Sequence, residues 1–126
     1  MTYRLRVVRV FAADWDAMTA FYRDTLGLPE KFSDAEMGWA EFDVGGPSLA
    51  VERIDPEDDE AEGLMGRFLG VSLAVDDVQR EYRRLVDAGV TFMGPPTVQP
   101  WGGVLAHLKD PEGNGITLLG LPAASD

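Results

Sequence analysis

Apolar residues recur at helical spacing at Trp15, Met18, Phe21, Tyr22 and Leu26, between Asp14 and Gly27. Asp14 suits a helix N-cap, because a carboxylate can accept a free backbone N–H of the first turn, and Gly27 suits a C-terminal stop. The spacing predicts a helix over residues 15–26 with its aromatic residues turned to a core. Ahead of it, the valine-rich stretch 3–11 predicts a strand. Leu5, Val7 and Arg9 share one parity of that strand, and Arg6, Val8 and Val10 share the other. Segments 30–32, 38–44 and 49–54 predict three further strands.

The second half of the chain repeats this plan. A strand over 68–75 leads into a helix over 78–88 that ends at Gly89. Extended pieces follow at 90–93 and 97–99, broken by Gly94-Pro95-Pro96. The spans 104–109 and 115–121 read as a final hairpin. Its turn, Asp110-Pro111-Glu112-Gly113-Asn114-Gly115, is matched in the first half by Asp43-Val44-Gly45-Gly46-Pro47. Each half is therefore strand, helix and three strands, and the chain is an internal duplication. The run 55–63 carries Asp55, Glu57, Asp58, Asp59, Glu60 and Glu62 and reads as a solvated, mobile linker.

Composition narrows the function. With 126 residues the chain is one domain with a sizeable core. It has no cysteine, which excludes disulfides, thiolate metal sites and a thiol nucleophile, and its lone histidine, His107, excludes a multi-histidine metal cluster within one chain. The net charge of −11 disfavours nucleic acid, which needs a basic footprint. The same charge suits either plain solubility or long-range attraction of a cation. Neither a membrane span nor a signal peptide is visible, so a cytoplasmic protein is expected.

The segments Asp14-Trp15, Phe21-Tyr22-Arg23-Asp24-Thr25-Leu26-Gly27-Leu28, Val75-Asp76-Asp77 and Asp110-Pro111-Glu112-Gly113-Asn114 resemble the vicinal-oxygen-chelate superfamily. That superfamily includes glyoxalase I, extradiol dioxygenases and the bleomycin-resistance and fosfomycin-resistance proteins. The resemblance covers nearly the whole chain. It implies an α+β fold of two βαβββ modules, at about 1–55 and 66–121, joined by the acidic linker 55–65. In such a fold the strands form a cup-shaped mixed sheet with helices on its outer face. The cup holds a small molecule, and members commonly form homodimers.

By the same resemblance, metal-dependent relatives place ligands at the positions of Val7, Ala50, Gly70 and Thr117, with Glu52 replacing Ala50 if the first hairpin is longer. Val, Ala, Gly and Thr are not competent ligand sets for a divalent ion. The expectation is a metal-free cup with no cofactor. Ala50, Gly70 and Ser72 would leave room inside it. Gln99-Pro100-Trp101-Gly102-Gly103 resembles the Pro-Trp-Gly segment of bleomycin-resistance proteins, where a tryptophan stacks on the drug. Trp101 equally fits a ring packed at a sheet edge. Trp39 and Arg9 are further lining candidates, with Glu52 as the expected partner of Arg9.

His107 shares its parity with Leu105 and Lys109, while Val104, Ala106 and Leu108 form the more apolar side that should meet the helix. His107 then points to the cup or to solvent. Two functions stay open. One is a metal-independent binding protein that sequesters an aromatic or cationic ligand, an antibiotic among the candidates. The other is a glyoxalase-like lyase or isomerase using His107 and Glu52 as catalytic residues, with His107 seeking a carboxylate such as Glu41 or Glu52.

Overall fold

The computed structural model describes residues 2–121, which divide into two units at Gly66–Arg67. In the first, β1 (Val7–Ala12), β2 (Glu30–Asp34), β3 (Trp39–Asp43) and β4 (Ser48–Arg53) form a sheet of order β1-β4-β3-β2. β1 runs parallel to β4, and the remaining pairs are antiparallel. Helix α1 (Trp15–Ala20) is capped as expected, with Asp14 Oδ1 accepting from the Ala17 N–H at 3.1 Å.

The α-helix is shorter than its apolar spacing predicts. From Phe21 to Thr25 it widens into a π-helical turn, in which the Leu26 N–H reaches the carbonyl of Phe21 at 2.8 Å. The widened turn buries two consecutive aromatics, Phe21 and Tyr22, whose rings meet edge to face at 5.1 Å. Gly27, at φ +84°, then ends the helix. β1 also starts later than the valine-rich stretch predicts, at Val7, because Arg6 marks the start of its pairing with β4 through the Ser48 N–H.

Alternation sets the core. Val10 and Ala12 on β1, Ala40 and Phe42 on β3, and Leu49 and Val51 on β4 are buried with Trp15, Met18, Phe21 and Tyr22. Trp15 donates its indole N–H to the Val51 carbonyl at 3.1 Å, which ties α1 to the centre of the sheet.

The second unit contains β5 (Phe68–Ala74), α2 (Val78–Asp87), β6 (Thr91–Phe92), β7 (Thr97–Val98), β8 (Val104–Lys109) and β9 (Gly115–Gly120). Its sheet runs β5-β9-β8-β6, and β7 also pairs with β8. β6 and β7 are the two extended pieces expected on either side of Gly94-Pro95-Pro96, each shorter than the spans 90–93 and 97–99. Asp77 caps α2, accepting from the Arg80 N–H at 3.1 Å. Val78, Leu85, Ala106, Leu108, Ile116 and Leu118 are buried.

The acidic run is not featureless. Asp59–Ala61 forms a 3-10 turn capped by Asp58, and Ala61 is buried while the carboxylates around it stay exposed. Among the described residues no helix is long and apolar enough to cross a membrane.

Candidate functional site

Each sheet has one face packed under its helix and one turned away from it. In the first unit the second face carries Val7, Arg9 and Phe11 of β1, Ser48, Ala50 and Glu52 of β4, and Trp39 and Glu41 of β3. Registry sets Ala50 between Arg9 and Glu41, and Glu52 between Phe11 and Trp39. Ala50 is fully buried and contributes only a methyl group to this surface.

Glu41 is the organising residue of this face. It is buried, at 9% exposure, yet its carboxylate is well supplied with donors. The Trp39 indole N–H donates to Oε1 at 3.0 Å, and the Arg6 guanidinium spans both oxygens at 3.3 and 3.4 Å. The Trp39 N–H, then Arg6, and more weakly the Ser48 hydroxyl, hold the carboxyl below the usual glutamate range, outweighing the effect of burial. Lys31 Nζ donates to Ser48 Oγ at 3.0 Å and extends the network toward β2.

A carboxyl depressed in the folded state stabilises the fold above its unfolded pKa and loses that contribution as pH falls through the folded one. Lowering the pH below about 4, the ordinary glutamate value, should therefore weaken the fold in part through Glu41. In Glu41→Gln that part of the pH dependence should vanish. Urea midpoints measured from pH 6 down to 3 would show parallel curves if Glu41 were not responsible.

Arg9 is exposed and pairs with Glu52, the partner expected of it, at 3.1 Å. Its guanidinium lies 5.2 Å from the centre of the Phe11 ring. The long, amphipathic side chain can cover Phe11 and keep its charge in water, so burial is not needed. Trp39 is half-buried and belongs to the Glu41 face, not to the core under α1.

In the second unit the face turned away from α2 carries Ser72 and Ala74 of β5, Thr117 and Leu119 of β9, and Leu105 and His107 of β8. His107 and Thr117 are directly opposed, and His107 Nδ1 lies 2.8 Å from Thr117 Oγ1. The Phe68 ring meets the imidazole edge to face at 5.8 Å. The neighbours of His107 within its unit are thus a hydroxyl and a phenyl ring, not a carboxylate. Gly70 sits where the β5–β9 register shifts, and its φ of +73° suits glycine. Its lack of a side chain is therefore explained by the backbone alone.

Trp101 lies at the tip of the turn between β7 and β8 and is 52% exposed. A β-carbon placed on Gly103 would fall inside its indole ring, so Gly103 is what allows the ring to fold flat onto the turn. The Gln99 N–H closes that turn on the Gly103 carbonyl at 2.8 Å.

The family model of the Glyoxalase/Bleomycin resistance protein/Dioxygenase superfamily matches residues 4–118. The chain belongs to this superfamily. A bleomycin resistance protein of Klebsiella pneumoniae is 31% identical over 116 residues, spanning 84% of this chain and 83% of that protein. The Bacillus subtilis protein YraH is 30% identical, over 91% of this chain and 96% of its own length. Among solved structures, a superfamily member from Sphaerobacter thermophilus superposes with a TM-score of 0.80 at 24% identity, covering 94% of this chain and 98% of that one. TnmS3, an antibiotic binding protein from a Streptomyces species, superposes with a TM-score of 0.73 at 27% identity, covering 97% of this chain and 98% of its own.

Some members of the superfamily use a metal, so the donor set matters. Of the positions that the resemblance assigns to ligands, Val7, Ala50 and Gly70 offer no donor atom, and the Thr117 hydroxyl already faces His107. The alternative Glu52 is paired with Arg9. Among the described residues, no three or more His, Cys, Asp or Glu side chains gather in a way that could hold an ion. These residues do not fit a divalent metal.

Trp39, Arg9, Glu52 and Ala50, all candidates by sequence, lie together on one sheet face. The structure places Val7 on the same face, and Ser72, Thr117 and His107 together on the face of the other sheet. It does not give His107 the carboxylate it was expected to seek. Arg6 was missed as a partner of Glu41, because its parity assigns it to the opposite face. The available signal was Glu41 itself, a charge set between Ala40 and Phe42 in the middle of the strand Trp39–Asp43.

Proposed function

We propose that this protein binds and sequesters an aromatic or cationic small molecule without using a metal. The observation that carries this reading is the Trp39–Glu41 pair. A half-buried indole is fixed by a buried carboxylate, with Glu52 opposite Trp39 and Ala50 opposite Glu41 on the next strand. A fixed indole offers a flat surface for stacking an aromatic ring or for a cation held over its face. Two relatives, a bleomycin resistance protein and an antibiotic binding protein, support an antibiotic as the ligand class. Trp101, exposed on its glycine-bounded turn, is a second stacking surface in this proposal.

The protein is proposed to work as a cytoplasmic homodimer. The absence of cysteine suits a reducing compartment. The exposed residues Phe68, Gly70, Ser72 and Ala74 of edge strand β5 leave a surface for pairing. The enzymatic alternative, a lyase or isomerase using His107 and Glu52, has less support: His107 meets Thr117, and Glu52 meets Arg9.

Metal-free bleomycin titrated into the protein in the presence of chelator should quench tryptophan fluorescence and saturate. Trp39→Ala should weaken binding about tenfold or more, as expected for loss of one well-packed aromatic contact. Binding that appears only on adding Zn or Ni would overturn metal independence. If bleomycin and simple aromatic cations such as acridinium all fail to bind, the sequestration reading itself is wrong.

A further inference from the structure

The break between β6 and β7 creates a hollow that the reading above does not use. Phe92 pairs with Leu108, and the Met93 N–H reaches the His107 carbonyl at 2.9 Å. Pairing with β8 resumes only at Thr97, opposite Leu105. Between them Gly94, Pro95 and Pro96 lift the chain away, since the prolines have no N–H to give to the ladder. A hollow of about 220 Å³ results, lined by Met93, Pro95, Thr97, Gln99, Leu105 and His107.

Its polar groups have defined directions. Thr117 is buried, and its hydroxyl hydrogen needs an acceptor. The partner at hydrogen-bond distance is His107 Nδ1. With the hydroxyl assigned as donor to Nδ1, the tautomer of neutral His107 is the one that leaves the ring proton on Nε2. Nδ1 is turned toward β9. His107 also lines the hollow, so the ring edge not occupied by Thr117 is the one open to a ligand there. Gln99 uses its amide nitrogen to donate to the Thr97 carbonyl at 3.1 Å, which leaves its side-chain carbonyl as an acceptor. Met93, Pro95 and Leu105 supply apolar walls.

We infer that this hollow binds the edge of a planar amide or lactam. The ligand carbonyl accepts from His107 Nε2–H, and the adjacent ligand N–H donates to Gln99 Oε1. The flat body of the ligand rests between Leu105 and Pro95. This site lies wholly within the second unit and stands independently of the sequestration reading.

Benzamide is the probe, with toluene as a control of similar shape that has no amide. Titrated into nitrogen-15-labelled protein, benzamide should give saturable shifts of the His107 ring and Gln99 side-chain resonances, and toluene should not. Gln99→Leu and His107→Phe should each weaken benzamide at least about tenfold, the scale of one buried hydrogen bond. Gln99→Glu keeps an acceptor oxygen but loses the hydrogen bond to the Thr97 carbonyl, so it should bind benzamide more tightly than Gln99→Leu and more weakly than wild type. If His107→Phe does not fold, the contrast between Gln99→Leu and Gln99→Glu decides. Equal binding of benzamide and toluene, shifts that do not saturate, or wild-type affinity in Gln99→Leu would each overturn the proposal. Bleomycin binding without benzamide binding would remove this site alone, and the reverse would remove only the sequestration reading.

Discussion

Asp110→Ala should cost the fold about 3–5 kcal/mol, among the larger losses that a single polar side chain can cause. Asp110 is 4% exposed, and its carboxylate closes the turn between β8 and β9. Oδ1 accepts from the backbone N–H groups of Glu112 and Asn114, both at 3.0 Å. Oδ2 accepts from the Asn114 side-chain amide at 2.9 Å. Asn114, fully buried, passes the network on by accepting from the Arg67 N–H at 3.2 Å, just ahead of β5. Alanine would leave the backbone and side-chain N–H groups of Asn114 buried without these partners. Asp110→Asn keeps one acceptor oxygen and should cost about half as much. The equivalent Asp43 in the first unit is a built-in control. It accepts from the Gly45 N–H at 2.8 Å but is exposed, so Asp43→Ala should cost no more than about 1 kcal/mol. Urea unfolding of the three variants tests the argument, and similar losses for Asp110→Ala and Asp43→Ala would refute it.

Phe42→Ala should also cost about 3–5 kcal/mol, here through a cavity. Phe42 is fully buried, and its ring lies 6.3 Å from that of Tyr22, tilted by 38°. It is the middle of the contact between β3 and the widened end of the helix. Phe42→Leu, which fills more of the space, should cost only about 1–2 kcal/mol. The consequence reaches the candidate site because β3 presents Phe42 on one face and Trp39 and Glu41 on the other. A strand that shifts into the cavity loosens the Trp39–Glu41 hydrogen bond. Phe42→Ala should therefore red-shift tryptophan emission under native conditions, where Phe42→Leu leaves it unchanged. A loss below about 1 kcal/mol would mean the core closes over the gap.

Local chemistry made most of the elements legible. Asp14 and Asp77 cap their helices, and the duplicated turns stand where their glycines, prolines and acidic residues require them. Strands β8 and β9 follow from period-two patterning and the Asp110 turn. The π-helical widening after Ala20 was not legible, because Phe21 and Tyr22 satisfy an α-helical pattern equally well and their joint burial decides the geometry. The late start of β1 was hidden for a similar reason, since a valine-rich stretch does not reveal where its strand partner begins.

The site shows the same division. Parity placed Arg9, Val7 and His107 correctly relative to the helices, because a strand's side chains alternate by geometry alone. Partner choice depends instead on which strand lies alongside. Arg6 reaches Glu41 from the chain entering β1, and His107 meets Thr117 because β9 lies beside β8 in that register. The hollow beside β8 needed both levels. Gly94-Pro95-Pro96 announces a break in the sequence, but only the pairing on either side shows how far the chain lifts away.

By itself the sequence determined the duplicated α+β plan, the helix caps, the turns and the absence of cysteine and histidine ligand sets. These depend on residue type and short spacing. Tertiary structure decided the Trp39–Glu41–Arg6 network, the His107–Thr117 pair and the burial that separates Asp110 from Asp43. Those features depend on strand register and packing, which bring together residues far apart in the chain and set how strongly each polar group needs its partner.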